Sequence, residues 1–172
     1  LDKDTSGCLV VAKSEYARQQ LLLLFQQRQI EKTYRALLVG NMKKDSGTIN
    51  APVGRHPVNR KKMAVVDRGG REAVTHWKVL ERFPRHTYIE VRLETGRTHQ
   101  IRVHMASLGF PVAGDPLYGG KRSDDAVFCI QRQWLHAYRL KFVHPVTGTT
   151  VECTAPLWAD LQATLELLRR ED

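Results

Sequence analysis

Two stretches hold side chains of the right kind and spacing to do chemistry together. The first is Leu1-Asp2-Lys3-Asp4-Thr5-Ser6-Gly7, in which carboxylates, hydroxyls and a glycine lie side by side. A carboxylate in such a segment can be held by nearby backbone N–H groups and aimed at a ligand, and the same composition also makes an ordinary Asx or Ser turn. The second is Glu94-Thr95-Gly96-Arg97-Thr98-His99-Gln100-Ile101-Arg102-Val103-His104, with two arginines, two histidines and a glutamine around one strand-to-helix junction. On a helix, His99 and Arg102 share one face and Gln100 and His104 another. The helix N-terminus adds its own attraction for phosphate, although His and Arg on helices also serve as solvated or structural residues.

Tyr34, in Lys32-Thr33-Tyr34-Arg35-Ala36-Leu37, stands beside two cations. It suits a strand interior, and it also suits a platform on which an extruded base stacks. The tract over 54–71 carries Arg55, Arg60, Lys61, Lys62, Arg68 and Arg71 with little apolar content, fitting either a solvated loop or a phosphate-contacting surface. Two patterns lead away from familiar chemistries. Gly114-Asp115-Pro116-Leu117-Tyr118-Gly119-Gly120 lacks the Lys-Ser/Thr ending of a P-loop. Ser6 sits in no nucleophile elbow, so Ser/His/Asp hydrolysis is not indicated.

These side chains need elements to position them. Cys8, Val10 and Val11 predict a short buried strand over 8–12. Ser14 is a fitting N-cap, and Ala17, Leu21, Leu24 and Phe25 recur at helical spacing, which predicts an amphipathic helix over 15–28. Apolar and β-branched runs predict strands over 34–39, 48–53, 73–80, 135–143 and 150–154. The alternation of Thr87, Ile89, Val91 and Leu93 with Tyr88, Glu90, Arg92 and Glu94 predicts a half-buried strand. A basic loop or hairpin fills 54–71, a helix is expected over 99–108 with Thr98 as N-cap and Gly109 as its stop, and a Gly-rich loop covers 114–122. His144-Pro145-Val146-Thr147-Gly148 signals a hairpin, and a last helix spans 157–170. Strands outnumber helices and connections are mixed, which makes the fold class α+β with a largely antiparallel sheet.

The 172 residues suit one compact domain. Lys and Arg total 27 against 18 acidic residues, a formal +9. Such an excess favours a polyanionic partner, because phosphate contacts release counterions. Cys8, Cys129 and Cys153 are scattered and form no CxxC pair, which argues against a disulfide framework or structural zinc and for a reducing, cytoplasmic setting. No apolar run approaches the roughly 20 residues of a membrane span. The chain opens on Leu1-Asp2 without an initiator Met, so upstream residues are expected to be missing.

Leu1-Asp2-Lys3-Asp4-Thr5-Ser6-Gly7, Lys32-Thr33-Tyr34-Arg35-Ala36-Leu37, Thr95-Gly96-Arg97-Thr98-His99-Gln100-Ile101-Arg102-Val103-His104, Gly114-Asp115-Pro116-Leu117-Tyr118-Gly119 and Leu135-His136-Ala137 occur in that order. The ordered set resembles the Rlu class of RNA pseudouridine synthases (RluA/RluD type), as found acting on the bacterial large ribosomal subunit. The likeness runs from Leu1 to about Ala159. It implies a catalytic domain over 1–172 with a bent, mostly antiparallel mixed sheet flanked by helices, N-terminally incomplete because the family's upstream strands and its frequent S4 RNA-binding domain are absent. It makes Asp2 the catalytic aspartate, leaves Asp4 on a variable position, matches Tyr34 to the active-site tyrosine and Arg102 to the arginine paired with the catalytic carboxylate, and puts Leu135 on the uracil pocket. Neither metal nor organic cofactor is implied.

The expected reaction breaks N1–C1′ of a flipped-out uridine, turns the uracil and joins C5 to C1′. Asp2 would attack C1′, add to C6 or remove the C2′ proton, three routes the sequence leaves open. Arg102 would keep the carboxylate ionised and aimed. Tyr34 would stack on uracil and accept the C5 proton, while Arg97, His99, Gln100, Lys61 and Lys62 would bind the RNA, ribosomal in the first instance and transfer RNA in the second. The protein is expected to act as a monomer without a membrane. One rival is a non-catalytic RNA-binding module of the same fold; another is a glycosidase using Asp2 and Glu94 as its carboxylate pair.

Overall fold

The computed structural model describes residues 1–119 and 125–171. The last part of the Gly-rich loop expected over 114–122 lies outside the described residues. In chain order the elements are β1 (Ser6–Gly7), α1 (Glu15–Gln26), β2 (Glu31–Val39), β3 (Ser46–Asn50), β4 (Val53–Arg55), β5 (Met63–Val65), β6 (Val74–Arg82), β7 (His86–Leu93), α2 (Gln100–Ser107), β8 (Leu135–Val143), β9 (Thr150–Thr154) and α3 (Ala159–Arg170). The main sheet runs β1-β8-β2-β7-β6-β3, with β9 also paired to β8, and β4 and β5 form a separate hairpin. All of these pairings are antiparallel except β1 with β8. Register shifts at Thr33/Tyr34 and Val79/Glu81 mark irregularities of the bulge kind, which bend and twist strands. The architecture is α+β, as expected.

Strand alternation explains the layers. On β2, Ala36 and Leu38 enter a core that includes Ile89, Val91 and, from α2, Ile101 and Met105. Leu37 and Val39 point to the other face and join Tyr88, Trp134 and, from α3, Leu161, Leu165 and Leu168. The three leucines recur at i, i+4 and i+7, the stripe a helix needs to lie on a sheet. Because both faces are covered, Tyr88 is buried as well as Thr87 and Ile89, so β7 is less one-sided than its alternation suggests.

Three expectations need correction. Residues 8–12 extend beyond β1 without strand pairing, and Leu9 and Val11 are exposed, because β8 bonds β9 from Arg139 onward. The strand expected over 48–53 breaks at Pro52, which has no N–H to give a ladder; Ser46–Asn50 stays in the main sheet and Val53–Arg55 leaves for the hairpin. Helix α1 is capped by the Ser14 side chain, which accepts from Ala17 N, yet it buries none of its residues. No helix of the described residues is long and apolar enough to cross a membrane.

Candidate active site

The segment that carries Asp2 is fastened to the start of β8. Ser6 Oγ lies 2.8 Å from His136 Nδ1, and His136 Nε2 lies 3.0 Å from the Ala155 carbonyl. A carbonyl only accepts, so His136 carries its proton on Nε2 and Ser6 donates to Nδ1. Burial above all holds this imidazole below its ordinary range, which suits the neutral form. Arg132 donates to the Asp4 carbonyl at 2.9 Å and Gln133 to the Lys3 carbonyl at 2.5 Å. Asp4 turns the chain through a left-handed conformation, φ 68°. Gly7 completes the fastening: at φ +113° it lies so close to β8 that a Cβ would stand 2.2 Å from the Ala137 carbonyl oxygen. In register, Gly7 faces Ala137, and Ala137 faces Tyr34 on β2. One small residue thus separates the Asp2 segment from Tyr34, which accounts for the Leu135-His136-Ala137 pattern.

Arg102 stands behind Asp2, on α2. Its Nη1 donates to Asp2 Oδ2 at 3.3 Å. Its two-point fork, however, goes to Asp115: Nε to Oδ2 at 2.7 Å and Nη2 to Oδ1 at 2.9 Å. The Arg102 side chain is 4% exposed and that of Asp115 0%. Asp115 also accepts from Leu117 N and Tyr118 N. Burial alone would lower the guanidinium, but the hydrogen bonds and charge of Asp115, with the charge of Asp2, override it and raise it. Asp2 therefore faces a cation whose position a second, fully buried carboxylate has already fixed.

Asp2, Tyr34, Arg97, His99 and Leu135 line one cleft of about 640 Å³. Tyr34 is pushed up to about 12, by burial first and then by the charge of Asp2. Its phenol stays protonated at neutral pH. Arg97 donates to the Glu72 carbonyl at 2.8 Å, and Arg28 pairs with the Glu72 carboxylate. Lys32 is buried on the same rim, with its ammonium 5.9 Å from the Phe25 ring centroid; burial first, then Arg28 and Arg97, lower it. Glu94, the second carboxylate of the glycosidase reading, lines the cleft but is held by His76 Nε2 at 2.6 Å.

Two expected assignments change. Gln100 has no hydrogen-bonding capacity left for substrate: Oε1 accepts from Thr95 Oγ1 and Arg97 N, and Nε2 donates to Val74 O and Thr75 Oγ1. It positions the junction instead, and His104, one turn on, meets the same Thr75 hydroxyl at 2.8 Å. Thr98 is not the cap of α2; His99 is, in a left-handed conformation and without a side-chain cap bond, its Nδ1 lying 2.8 Å from the Tyr118 hydroxyl instead. Lys61 and Lys62 lie in the loop that joins β4 to β5 and do not line the cleft. Sequence reasoning missed Asp115, Lys32 and Tyr118 as site residues, although all three sit inside its motifs. Among the described residues no group of three His, Cys, Asp or Glu is arranged to hold a metal.

Comparison with known proteins identifies the family. The family model described as RNA pseudouridylate synthase matches residues 1–107. The chain is 48% identical to "Ribosomal large subunit pseudouridine synthase D" of Nitrosomonas europaea over 98% of its length and 50% of that protein's. It is 47% identical to the protein of the same name in Pseudomonas aeruginosa, over 99% of this chain and 56% of that one. The chain thus spans about half the length of the curated relatives it matches. Among solved structures, "Human RNA Pseudouridylate Synthase Domain Containing 1" superimposes with a TM-score of 0.80 at 31% identity, covering 95% of this chain and 70% of that one. With 107 of its 172 residues inside the matched model and nearly all of them aligned to relatives about half identical to it, the chain belongs to the RNA pseudouridylate synthase family.

Proposed function

We propose that residues 1–172 are the catalytic domain of a protein that isomerises uridine to pseudouridine in structured RNA, with ribosomal RNA of the large subunit as substrate and the cytoplasm as setting. The observation that carries this is the Asp2 carboxylate, presented to a cleft of nucleotide size by an arginine that Asp115 holds rigid. The reaction needs an ionised carboxylate held at one point, and a buried cation favours ionisation and fixes direction. A uridine stacked in RNA is out of reach, so the base is flipped into the cleft. There the N1–C1′ bond breaks, the uracil turns and C5 bonds to C1′; N1 ends with a proton and C5 gives one up. The Tyr34 ring stacks on the uracil and its oxygen takes the C5 proton as its own phenol proton passes to N1, so each proton has a destination. Leu135 supplies the apolar floor. Arg97, Lys32 and Arg28 meet phosphates around the cleft, which gives affinity and no sequence information.

The test is Asp2→Asn and Asp2→Ala in the complete protein. Pseudouridine formation should vanish while RNA binding persists, since affinity rests on phosphate contacts. Pseudouridine made by Asp2→Ala above the no-enzyme background would end the proposal. Free uracil among the products of the native protein would point to the glycosidase, whereas an isomerase leaves RNA mass unchanged.

A further inference from the structure

The hydroxyl of Tyr118 joins separate parts of the molecule. It accepts the Met63 N–H at the start of β5 at 2.9 Å. It lies 2.8 Å from His99 Nδ1 at the head of α2. The Tyr118 ring stands 5.2 Å from the Arg102 guanidinium carbon. A phenol has one proton to give. With the Met63 N–H already on the oxygen, that proton has His99 Nδ1 as its acceptor. A proton on Nδ1 instead would leave the hydroxyl proton without an acceptor among the described residues. The arrangement that satisfies every group puts the imidazole proton on Nε2. Burial above all lowers this histidine, against a smaller raising pull from Asp2, which keeps the ring neutral.

The left-handed backbone of His99, φ 56° and ψ 19°, holds the ring at the cleft that Asp2 and Tyr34 line. Its Nε2–H has no protein acceptor among the described residues. Phosphates are provided for by cations on the same rim, Arg97, Lys32 and Arg28. A neutral donor beside a carboxylate matches a neutral acceptor, and the neutral acceptors of uracil are its carbonyl oxygens. We propose that Tyr118 fixes His99 as a neutral Nε2–H donor that reads a carbonyl oxygen of the uracil, which makes His99 a specificity-determining residue and Tyr118 its positioning residue. This rests on the isomerase reading of the same cleft.

The experiment has two arms, both on the complete protein. In the first, long-range ¹H–¹⁵N NMR reads the His99 ring: the native protein shows the proton on Nε2, and Tyr118→Phe shows a mixture of tautomers. A native His99 protonated on Nδ1 overturns the proposal whatever the activity. In the second, single-turnover isomerisation is measured on RNA carrying uridine, 2-thiouridine or 4-thiouridine at the target, and on RNA with a neutral methylphosphonate beside it. Sulfur is the poorer acceptor, so one thio-substrate should cost the native protein about tenfold, the weight of one neutral hydrogen bond. That penalty should disappear in His99→Phe and shrink in Tyr118→Phe. His99→Asn tolerates the left-handed backbone and guards against a folding defect; it should lose the penalty too. Equal thio penalties in native and His99 variants, or coupling of His99 to the methylphosphonate instead, overturn the assignment. No pseudouridine from any RNA with Asp2 intact would sink the isomerase reading, while the NMR arm would still judge the tautomer.

Discussion

Arg102 serves two carboxylates unequally, and that inequality sets what substitutions at the site should do. The fork belongs to Asp115 and a single, longer bond to Asp2. Asp115→Asn leaves a buried guanidinium with only the longer bond to Asp2 as its counter-charge, a change approaching the kind that costs about 3–5 kcal/mol. The urea midpoint should fall accordingly, and turnover should drop about a hundredfold as Arg102 loses its aim. Arg102→Lys keeps the charge and loses the fork, so it should recover only part of the activity that Arg102→Ala loses. A near-normal single-turnover rate in Arg102→Ala would remove Arg102 from the site. Asp4 is the contrast. Its carbonyl is tied to Arg132, and its left-handed backbone is one that Asn accepts. Asp4→Asn should leave turnover within about twofold on that ground; a loss as deep as that of Asp2→Asn would mean the wrong aspartate has been assigned.

Elements differ in how much of the site they carry. Strand β1 is two residues long, yet it fixes Asp2 through Gly7, where no other residue fits against Ala137. Gly7→Ala should therefore abolish turnover and lower the melting temperature; unchanged kinetics would show that β1 does not position the carboxylate. Helix α1 is the opposite case, with a good cap and no buried residue. Ser14→Ala should weaken the helix by about 1 kcal/mol, visible as faster amide exchange within α1, while global unfolding stays put because little of the core depends on it. The sequence was legible where the information is local. Strands over 135–143 and 150–154 fall residue for residue on β8 and β9. The i, i+4 pair Gln100 and His104 does share a face, converging on Thr75. It was opaque where partners are remote. Residues 8–12 have the composition of a buried strand, but pairing depends on what β8 has left to offer. Asp115 and Tyr118 looked like loop residues because Arg102, Met63 and His99 come to them only through the fold.

For the whole molecule, charge and burial make separate predictions. The +9 surplus implies salt-sensitive RNA binding. The β4–β5 hairpin is anchored at its base by Met63 and Val65 against Val103 and Tyr118, and its tip, with Val58 87% exposed, projects outward. Neutralising Lys61 and Lys62 together should flatten the dependence of affinity on salt by roughly 0.7–0.9 log units per lost phosphate contact, with turnover at saturating RNA little changed. Parallel lines and equal affinity would make that loop a plain solvated surface. Stability should respond to acid. His99, His104 and His136 are all lowered, by burial first. A group lowered on folding favours the native state fully above its unfolded value, about 6.5 for imidazole, and the benefit is lost as pH falls through the lowered folded values. Denaturant midpoints should hold from pH 8 to about 7 and decline below about 6.5; a flat profile down to pH 5 would refute the buried neutral histidines.

The bonds that fasten the Asp2 segment to β8 also have a consequence in time. Ser6 and Lys3 are held by His136 and Gln133, 130 positions later, and His136 is in turn set by the Ala155 carbonyl. Closing so long a loop is entropically slow and is rewarded only when its far end arrives. A growing chain emerges from the ribosome at about 5–20 residues per second. The carboxylate segment therefore precedes its anchors by several seconds of translation and stays unaimed for that time, so the centre is assembled in a late step rather than carried half-built by the nascent chain.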